Sequence, residues 1–313
     1  MENNNFVLVC GGASEKLASD IANILGTTSN GCEVIKFSDG EFKPIFNKNK
    51  TLRGKKVFIV QSTYMPTDNL FELLLMVDAA KRASAEKVIA IISYLGFSRQ
   101  DRKDKTGAPV SAALVAKMIK VSGVDQVVTM DLHADQIQGF FDIPVDHIYA
   151  SNIFAPYIVN MGLENLVIAS PDMGGTKKVE TYSKYLRCPM VVSYKSREEN
   201  NVVSTMKVIG DVEGKNVIIM DDMIDTAGTL VKASKIIMDK GALSVRAFAT
   251  HAVLSGPAYH RIENSILEEV IVTDSIPLKY FSSKIKVLSV APYFAEVIKK
   301  IYNNESISST FIM

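Results

Sequence analysis

Tryptophan is absent from the 313 residues, and cysteine and histidine are scarce, with three and four copies. Cys10, Cys32 and Cys188 are odd in number, widely spaced and set in apolar or ordinary surroundings. That excludes a disulfide framework and a zinc site, and it suits a reducing compartment. An excess of either charge is also missing, with 35 Lys+Arg against 34 Asp+Glu. Bulk attraction to nucleic acid or to a membrane is therefore not indicated, and any anionic ligand must be gripped locally. No apolar run is long enough to span a bilayer, and Met1–Asn5 lacks the basic-then-apolar pattern of a signal peptide. The expectation is a soluble cytoplasmic protein, long enough for about two domains at the usual ~100–200 residues each.

What is present centres on Val217–Leu230, V-I-I-M-D-D-M-I-D-T-A-G-T-L. Val217–Met220 is an apolar, β-branched run of the kind that forms a buried parallel strand, and Ala227, Leu230, Val231 and Ser234 start a helical spacing. Between them lies an acidic loop with small residues. Thr226, Gly228 and Thr229 leave backbone N–H groups uncovered at the helix start, where a phosphate is favoured. Asp221, Asp222 and Asp225 would repel that phosphate, so they point to sugar hydroxyls or a divalent cation beside it. A sugar phosphate satisfies both halves of the loop. The plainer reading is a buried strand, a solvated acidic turn and a threonine cap.

Along the chain, strands are expected at Phe6–Cys10, Glu33–Phe37, Val57–Val60, Val88–Ile92, Gln126–Met130, Leu166–Ala169, Met190–Tyr194, Val245–Thr250, Val270–Thr273 and Val287–Val290, with helices between most of them. Gly11-Gly12-Ala13 lacks the third glycine of a dinucleotide fingerprint and reads as a structural turn. On composition alone, Ser38-Asp39-Gly40-Glu41 is a solvated hairpin tip. Gly96–Pro109, with Arg99, Gln100, Asp101 and Arg102, is either a solvated loop or a cationic loop after a strand that holds a polyphosphate. His133, beside Asp131 at a strand's carboxyl end, is either a metal ligand or a hydrogen-bonded core residue. Gly54–Val60 also aligns with Gly214–Met220, and Asn69-Leu70 falls where Thr229-Leu230 does, which indicates an internal duplication. In the first copy, Gln61–Leu70 has lost the acidic, glycine-bearing loop.

Asp131–Asp146, D-L-H-A-D-Q-I-Q-G-F-F-D-I-P-V-D, resembles the signature of the ribose-phosphate diphosphokinases, and Val217–Leu230 resembles their ribose-phosphate loop. The resemblance covers nearly the whole chain, from F-S-D-G-E at Phe37–Glu41 to S-G-P-A at Ser255–Ala258. It implies an α/β fold of two duplicated phosphoribosyltransferase-type domains, each a mainly parallel sheet flanked by helices. The expected bounds are 1–147 and 148–300, with a tail over 301–313. It also implies the transfer of a diphosphoryl group from MgATP to ribose 5-phosphate, with Mg2+ as cofactor.

By that resemblance, Asp225, Thr226, Ala227, Gly228 and Thr229 hold the 5-phosphate, and Asp221 and Asp222 lie near the ribose hydroxyls. Arg99, Gln100, Asp101 and His133 bind ATP, His133 and Asp172 engage magnesium, and Lys195 with Arg197 form a mobile catalytic pair. Phe37, Asp39 and Glu41 reach the adenine of ATP on a neighbouring subunit, which replaces the solvated-hairpin reading. A homo-oligomer, a hexamer built from dimers, is implied, with inorganic phosphate and ADP as allosteric ligands near Thr51, Arg53, Thr106 and Ser306–Ser308. The chain departs from many relatives at Glu198 and Glu199, where cations are common, and at Gly107, where some carry arginine.

Overall fold

The computed structural model describes residues 5–47, 51–196 and 205–308. Arg197, Glu198 and Glu199 lie outside the described residues, as do the side chains of Lys195 and Ser196. The chain divides into two compact units.

The first unit carries β1 (Phe6–Cys10), β2 (Ser29–Lys36), β3 (Phe42–Phe46), β4 (Lys56–Val60), β5 (Lys87–Ile92), β6 (Gln126–Met130) and β7 (Val145–Ile148). Helices α1 (Glu15–Leu25), α2 (Asp68–Arg82) and α3 (Ser111–Val121) connect them. The strand order is β3-β2-β1-β4-β5-β6-β7, and only β3 runs antiparallel to its neighbour. The inner strands are continuous apolar runs because both sheet faces are covered: Val57–Val60 and Val88–Ile92 are fully buried. Ile21 on α1, Leu73 and Met76 on α2 and Ile119 on α3 pack as the covering layers.

The second unit spans Ala150–Ser289. Its strands are β8 (Leu166–Ser170), β9 (Met190–Ser196), β10 (Thr205–Ile209), β11 (Asn216–Ile224), β12 (Ser244–Ala252), β13 (Val270–Thr273) and β14 (Ile285–Leu288). Helices α4 (Ser151–Asn160), α5 (Thr176–Leu186), α6 (Gly228–Asp239) and α7 (Ala258–Glu263) accompany them. The order β10-β9-β8-β11-β12-β13-β14 repeats that of the first sheet, again with one antiparallel pair, β9 with β10. The duplication expected from the glycine-led repeats is thus present strand for strand.

The division differs from the expected one at the C-terminal end. Helix α8 (Ala291–Asn303) belongs to the first unit, not to a domain ending at residue 300. Its buried face, Phe294, Val297 and Ile298, lies over α1. The Tyr302 ring stands 5.1 Å from Phe6, and Lys56 Nζ donates to the Tyr302 carbonyl at 3.3 Å. An amphipathic helix follows the apolar face available to it, and α1 offers that face in the other unit.

Candidate active site

In both sheets the strand order reverses between the first strand and the one beside it, β1 with β4 and β8 with β11. The carboxyl ends of such strands form the crevice in which open α/β sheets bind ligands. In the second unit, the crevice receives the loop after β8 and the acidic stretch of β11.

The acidic stretch is more ordered than the sequence indicates. Strand β11 does not end at Met220 but continues to Ile224, paired with β12 as far as Ile224↔Ala252. Buried Met223 and Ile224 carry it on, and β12 is long enough to pair with them. Asp221 and Asp222 therefore stand on a strand, on opposite faces. The Asp222 N–H donates to Asp221 Oδ1 at 2.8 Å. Burial, and next the Asp222 charge, push the Asp221 carboxyl well above the usual carboxylate range, against a pull downward from Lys178 on α5. A carboxyl so placed is costly to the fold and is therefore a candidate functional group.

The loop proper is Asp225–Ala227, ending in Ala227 at φ 59°, and α6 begins at Gly228 with no side-chain cap. Its first N–H groups, at Gly228, Thr229 and Leu230, face the crevice end without helical partners. The loop is clamped from behind: Ser255 N–H donates to the Asp225 carbonyl at 3.0 Å and Arg261 Nη1 to the Thr226 carbonyl at 2.9 Å. The S-G-P-A motif thus holds the loop in shape. Ser255 and Arg261 carry no such signal in the sequence beyond the motif itself. Across the crevice, Gly174 and Gly175 N–H groups donate to Asp172 Oδ1 at 2.8 and 3.1 Å, and the Ser170 hydroxyl donates to the Asp172 carbonyl at 2.6 Å. Asp172 is exposed, and both N–H bonds go to its Oδ1.

The corresponding crevice of the first unit is filled. Gly12 N–H donates to Glu72 Oε1 at 2.8 Å, Ala13 N–H to Gln61 Oε1 at 3.2 Å, and Gln61 Nε2 to Glu72 Oε2 at 3.2 Å. A Cβ on Gly11 would lie 2.3 Å from Gln61 Oε1, so a larger residue there would displace the Gln61 amide from its bonds. Gly11-Gly12 is structural, as its spacing indicates.

Arg99, Gln100 and Asp101 sit on the loop after β5, and His133 on the loop after neighbouring β6. The two loops are joined by Gln136 Nε2, which donates to Asp101 Oδ2 at 2.9 Å, and the first is tied to the start of α3, where Ser111 Oγ donates to Gln100 Oε1. Arg99, Gln100 and His133 are exposed. Each loop contains a residue in the left-handed region, Phe97 at φ 63° and Asp131 at φ 40°, as does the Asp225–Ala227 loop of the second unit at Ala227. Such strain concentrates at sites where function fixes the backbone.

Phe37, Asp39 and Glu41 form the exposed tip between β2 and β3, with Lys43 Nζ 5.4 Å from the Phe37 ring centroid. Glu41 N–H donates to Asp39 Oδ1 at 3.0 Å. Three strand spacings separate β2 from β5, roughly 14 Å at ~4.8 Å each. The structure does not bring this tip to Arg99–Asp101.

Lys195 lies on β9, whose backbone pairs it with Met206. Hairpins β2–β3 and β9–β10 are equivalent in the two sheets, so the Phe37–Glu41 tip and the Lys195 segment are two uses of one element. Among the described residues, no group of three or more His, Cys, Asp and Glu side chains is arranged to hold a metal. Burial, with the Glu72 charge adding to it, pushes the Cys32 thiol up to about 12, and the cysteines are free. None is a poised thiolate. Among the described residues no helix is long and apolar enough to cross a membrane.

Two family models match the chain, the N-terminal domain of ribose phosphate pyrophosphokinase over residues 6–123 and the phosphoribosyl synthetase-associated domain over residues 197–312. A ribose-phosphate pyrophosphokinase of Porphyromonas gingivalis is 50% identical over 98% of both chains. That of Wolinella succinogenes is 49% identical over 98% of this chain and 99% of its own. The crystal structure of the phosphoribosylpyrophosphate synthetase of Mycobacterium smegmatis superposes with a TM-score of 0.89 at 37% identity, covering 96% of this chain and all of that one. With near-half identity along almost its entire length, and with both sheets in the same arrangement, the chain belongs to the ribose-phosphate pyrophosphokinase family.

Proposed function

We propose that the protein transfers the diphosphoryl group of MgATP to the anomeric hydroxyl of ribose 5-phosphate, giving 5-phosphoribosyl 1-diphosphate and AMP for nucleotide biosynthesis. The observation that carries the reading is the contrast between the two crevices in a chain of this family. The second keeps unused N–H groups beside Asp221 and Asp225, and the first is closed by Gln61 and Glu72.

In this reading, the α6 N-terminus and Asp225–Thr229 hold the 5-phosphate, with Asp221 and Asp222 near the ribose hydroxyls. Arg99, Gln100, Asp101 and His133 bind ATP. The anomeric oxygen attacks the β-phosphorus, the bond from that phosphorus to the α–β bridging oxygen breaks, AMP leaves with the electron pair, and the hydroxyl proton is released. Such a transfer needs alignment and charge neutralisation more than covalent help. Lys195 and Arg197 supply fixed cations to the transferring group, acting most strongly as charge develops. Magnesium, when bound, neutralises and orients the phosphates. His133 and Asp172 would hold it, and an exposed carboxylate suits an ion that takes most of its ligands from phosphate and water.

The distance from the Phe37–Glu41 tip to Arg99–Asp101 across the first sheet supports the reading that Phe37, Asp39 and Glu41 serve ATP on a neighbouring subunit. The active form is then a homo-oligomer, a hexamer built from dimers, in the cytoplasm. Inorganic phosphate and ADP act as allosteric ligands near Thr51, Arg53, Thr106 and Ser306–Ser308. The test is AMP formation from ATP, ribose 5-phosphate and magnesium by the purified protein alone, with phosphate titrated in. Activity that rises with phosphate supports both the reaction and the regulatory site. Activity indifferent to phosphate keeps the reaction and removes the site, and Gly107 is then the first residue to examine. No AMP from a folded, oligomeric sample overturns the proposal in favour of a binding subunit.

A further inference from the structure

We infer that His147 is a positioning residue for the loop that carries His133. This rests on the proposed role of His133 in binding the metal–nucleotide. Strand β6 ends at Met130, and the chain then turns through Asp131 at φ 40°. At that turn the β6–β7 ladder makes one more bond in register, and the next N–H leaves it. Asp131 N–H donates to the Ile148 carbonyl of β7 at 3.0 Å. The Leu132 N–H is held by a side chain instead: it donates to His147 Nε2 at 2.9 Å. Leu132 is buried, and the His147 side chain is only 2% exposed. An amide at such a place needs an acceptor from the protein itself.

The imidazole is fixed on its other side as well. Nδ1 lies 3.2 Å from the Gln138 side-chain amide and 3.8 Å from Asp135 Oδ1, and the ring stacks obliquely on Tyr149 at 4.4 Å. To accept from Leu132, Nε2 must carry no proton, so the neutral ring bears its proton on Nδ1, on the side where Asp135 Oδ1 is the acceptor. Register Thr129↔His147 sets the ring beside the strand end. His147 thus fixes the backbone one residue before His133, through β7. It touches neither substrate nor metal in this account, and its effect is on where His133 stands. The strand β7 is short and carries polar Asp146 and His147, which is why neither sequence pattern nor periodicity marks it as part of the site.

The test compares His147→Phe and His147→Leu, which keep an apolar filling and lose the acceptor, with His147→Gln, whose amide oxygen reaches about as far as Nε2. Hydrogen exchange is read at Leu132 in the ligand-free protein, and Michaelis constants are read for magnesium at fixed ATP and for ribose 5-phosphate. The expected result is faster exchange at Leu132 in the Phe and Leu variants, with the amides of Val127 and Val128 unchanged. Apparent magnesium affinity should fall by about 10- to 100-fold, the range for removing a group that orients a metal ligand. The ribose 5-phosphate constant should stay put, and His147→Gln should restore both readouts. Unchanged exchange at Leu132 in either acceptor-less variant that folds overturns the inference. So does a parallel loss for magnesium and ribose 5-phosphate, which is the mark of a structural role. If neither acceptor-less variant folds, failure of His147→Gln to match the wild type in exchange and magnesium dependence overturns it. A wild-type protein that makes no AMP overturns the functional reading instead, and exchange at Leu132, measured without substrate, separates the two failures.

Discussion

Gly96→Ala tests how the Arg99–Asp101 loop is held. A Cβ at residue 96 would lie 2.2 Å from the Thr63 carbonyl oxygen and 3.2 Å from its carbon, against 3.4 Å or more for ordinary contact. The obstructing atom is backbone, and its neighbours are already bonded: Thr63 N–H donates to the Tyr94 carbonyl at 2.9 Å, and Gly96 N–H donates to Thr63 Oγ1 at 2.8 Å. Relief requires a shift of about 1 Å in buried backbone, and overpacking of this kind costs typically about 1–3 kcal/mol. Loss of the Gly96–Thr63 bond adds roughly 1 kcal/mol. Together these give about 2–4 kcal/mol, or some 4–16 °C in the unfolding of the first unit at about 2–4 °C per kcal/mol for a domain of this size.

Thermal unfolding of the variant, with Thr63→Val as a control that removes the hydroxyl and keeps the carbonyl, checks the magnitude. Thr63→Val removes the acceptor of the buried Gly96 N–H and the hydroxyl's own bond to the Tyr94 carbonyl at 3.1 Å, and should cost about 1–3 kcal/mol without the collision, so the shift in the Michaelis constant for ATP separates the two variants. Because the clamp precedes Arg99 by three residues, Gly96→Ala should also raise the Michaelis constant for ATP while leaving that for ribose 5-phosphate unchanged. A variant that unfolds within about 0.5 kcal/mol of the wild type, the scatter of ordinary surface changes, would refute the close approach of Gly96 to Thr63.

Three further perturbations bear on the two crevices. Lys195→Ala should lose about two to three orders of magnitude in turnover, as when one preorganised donor is removed; a loss under about tenfold excludes Lys195 from the transfer step. Asp221 has its folded pKa raised by burial and by Asp222, so the stability it contributes is full below the unfolded carboxylate range and is lost as pH rises through the folded value. Asp221→Asn should therefore melt higher than the wild type at neutral pH, by a margin that vanishes toward about pH 4, while ribose 5-phosphate binding weakens; a margin independent of pH would contradict the assigned cause. Glu72→Gln sets a second amide against Gln61 Nε2 and should destabilise the first unit by about 1–3 kcal/mol, measured by thermal unfolding, with an unchanged melting profile refuting the network.

The central sheet was legible because its strands are buried on both faces and so read as unbroken β-branched runs: Val57–Val60, Val88–Ile92 and Val217–Met220 all lie where the sequence indicates. The helix ending at Gly26 was equally plain, since the residue adopts φ 63° and caps α1 with bonds to Ala22 and Asn23 carbonyls. The edges were not. Strand β3 contains Lys43 and Pro44, and proline is tolerated there only because β3 is the outermost strand. Strand β14 lies at Ile285–Leu288, two residues before the expected run, because Lys286 interrupts its apolar pattern on an exposed edge. Of the candidate site, the acidic loop and the cationic run were legible from composition. Arg261, Ser255, Gln136 and His147 act through geometry between distant segments, which no local spacing encodes.

The two crevices explain how one duplicated fold supports two tasks. An N–H pair at a strand-to-helix turn favours an anion wherever it is left open. In the first unit, the Gly12 N–H already has an anion: the Glu72 carboxylate, tethered by α2 and steadied by Gln61. A tethered carboxylate is present at every moment and loses no translational freedom on binding, so a free phosphate competes poorly with it. Ser14 completes the closure, its hydroxyl accepting from Ser62 N–H at 2.8 Å. Closing this crevice leaves the loops after β5 and β6 as the first unit's exposed polar edge, where Arg99, Gln100 and His133 stand. In the second unit, the turn equivalent to that of Gly12 is the one after β8, where Asp172 accepts from Gly174 and Gly175, while the turn after β11 begins α6 without a side-chain cap beside Asp221, Asp222 and Asp225. In the proposed function, those carboxylates accept an anion that brings hydroxyl groups, so selectivity for a sugar phosphate arises from what the second copy leaves unfilled, and the division of labour from what the first copy fills.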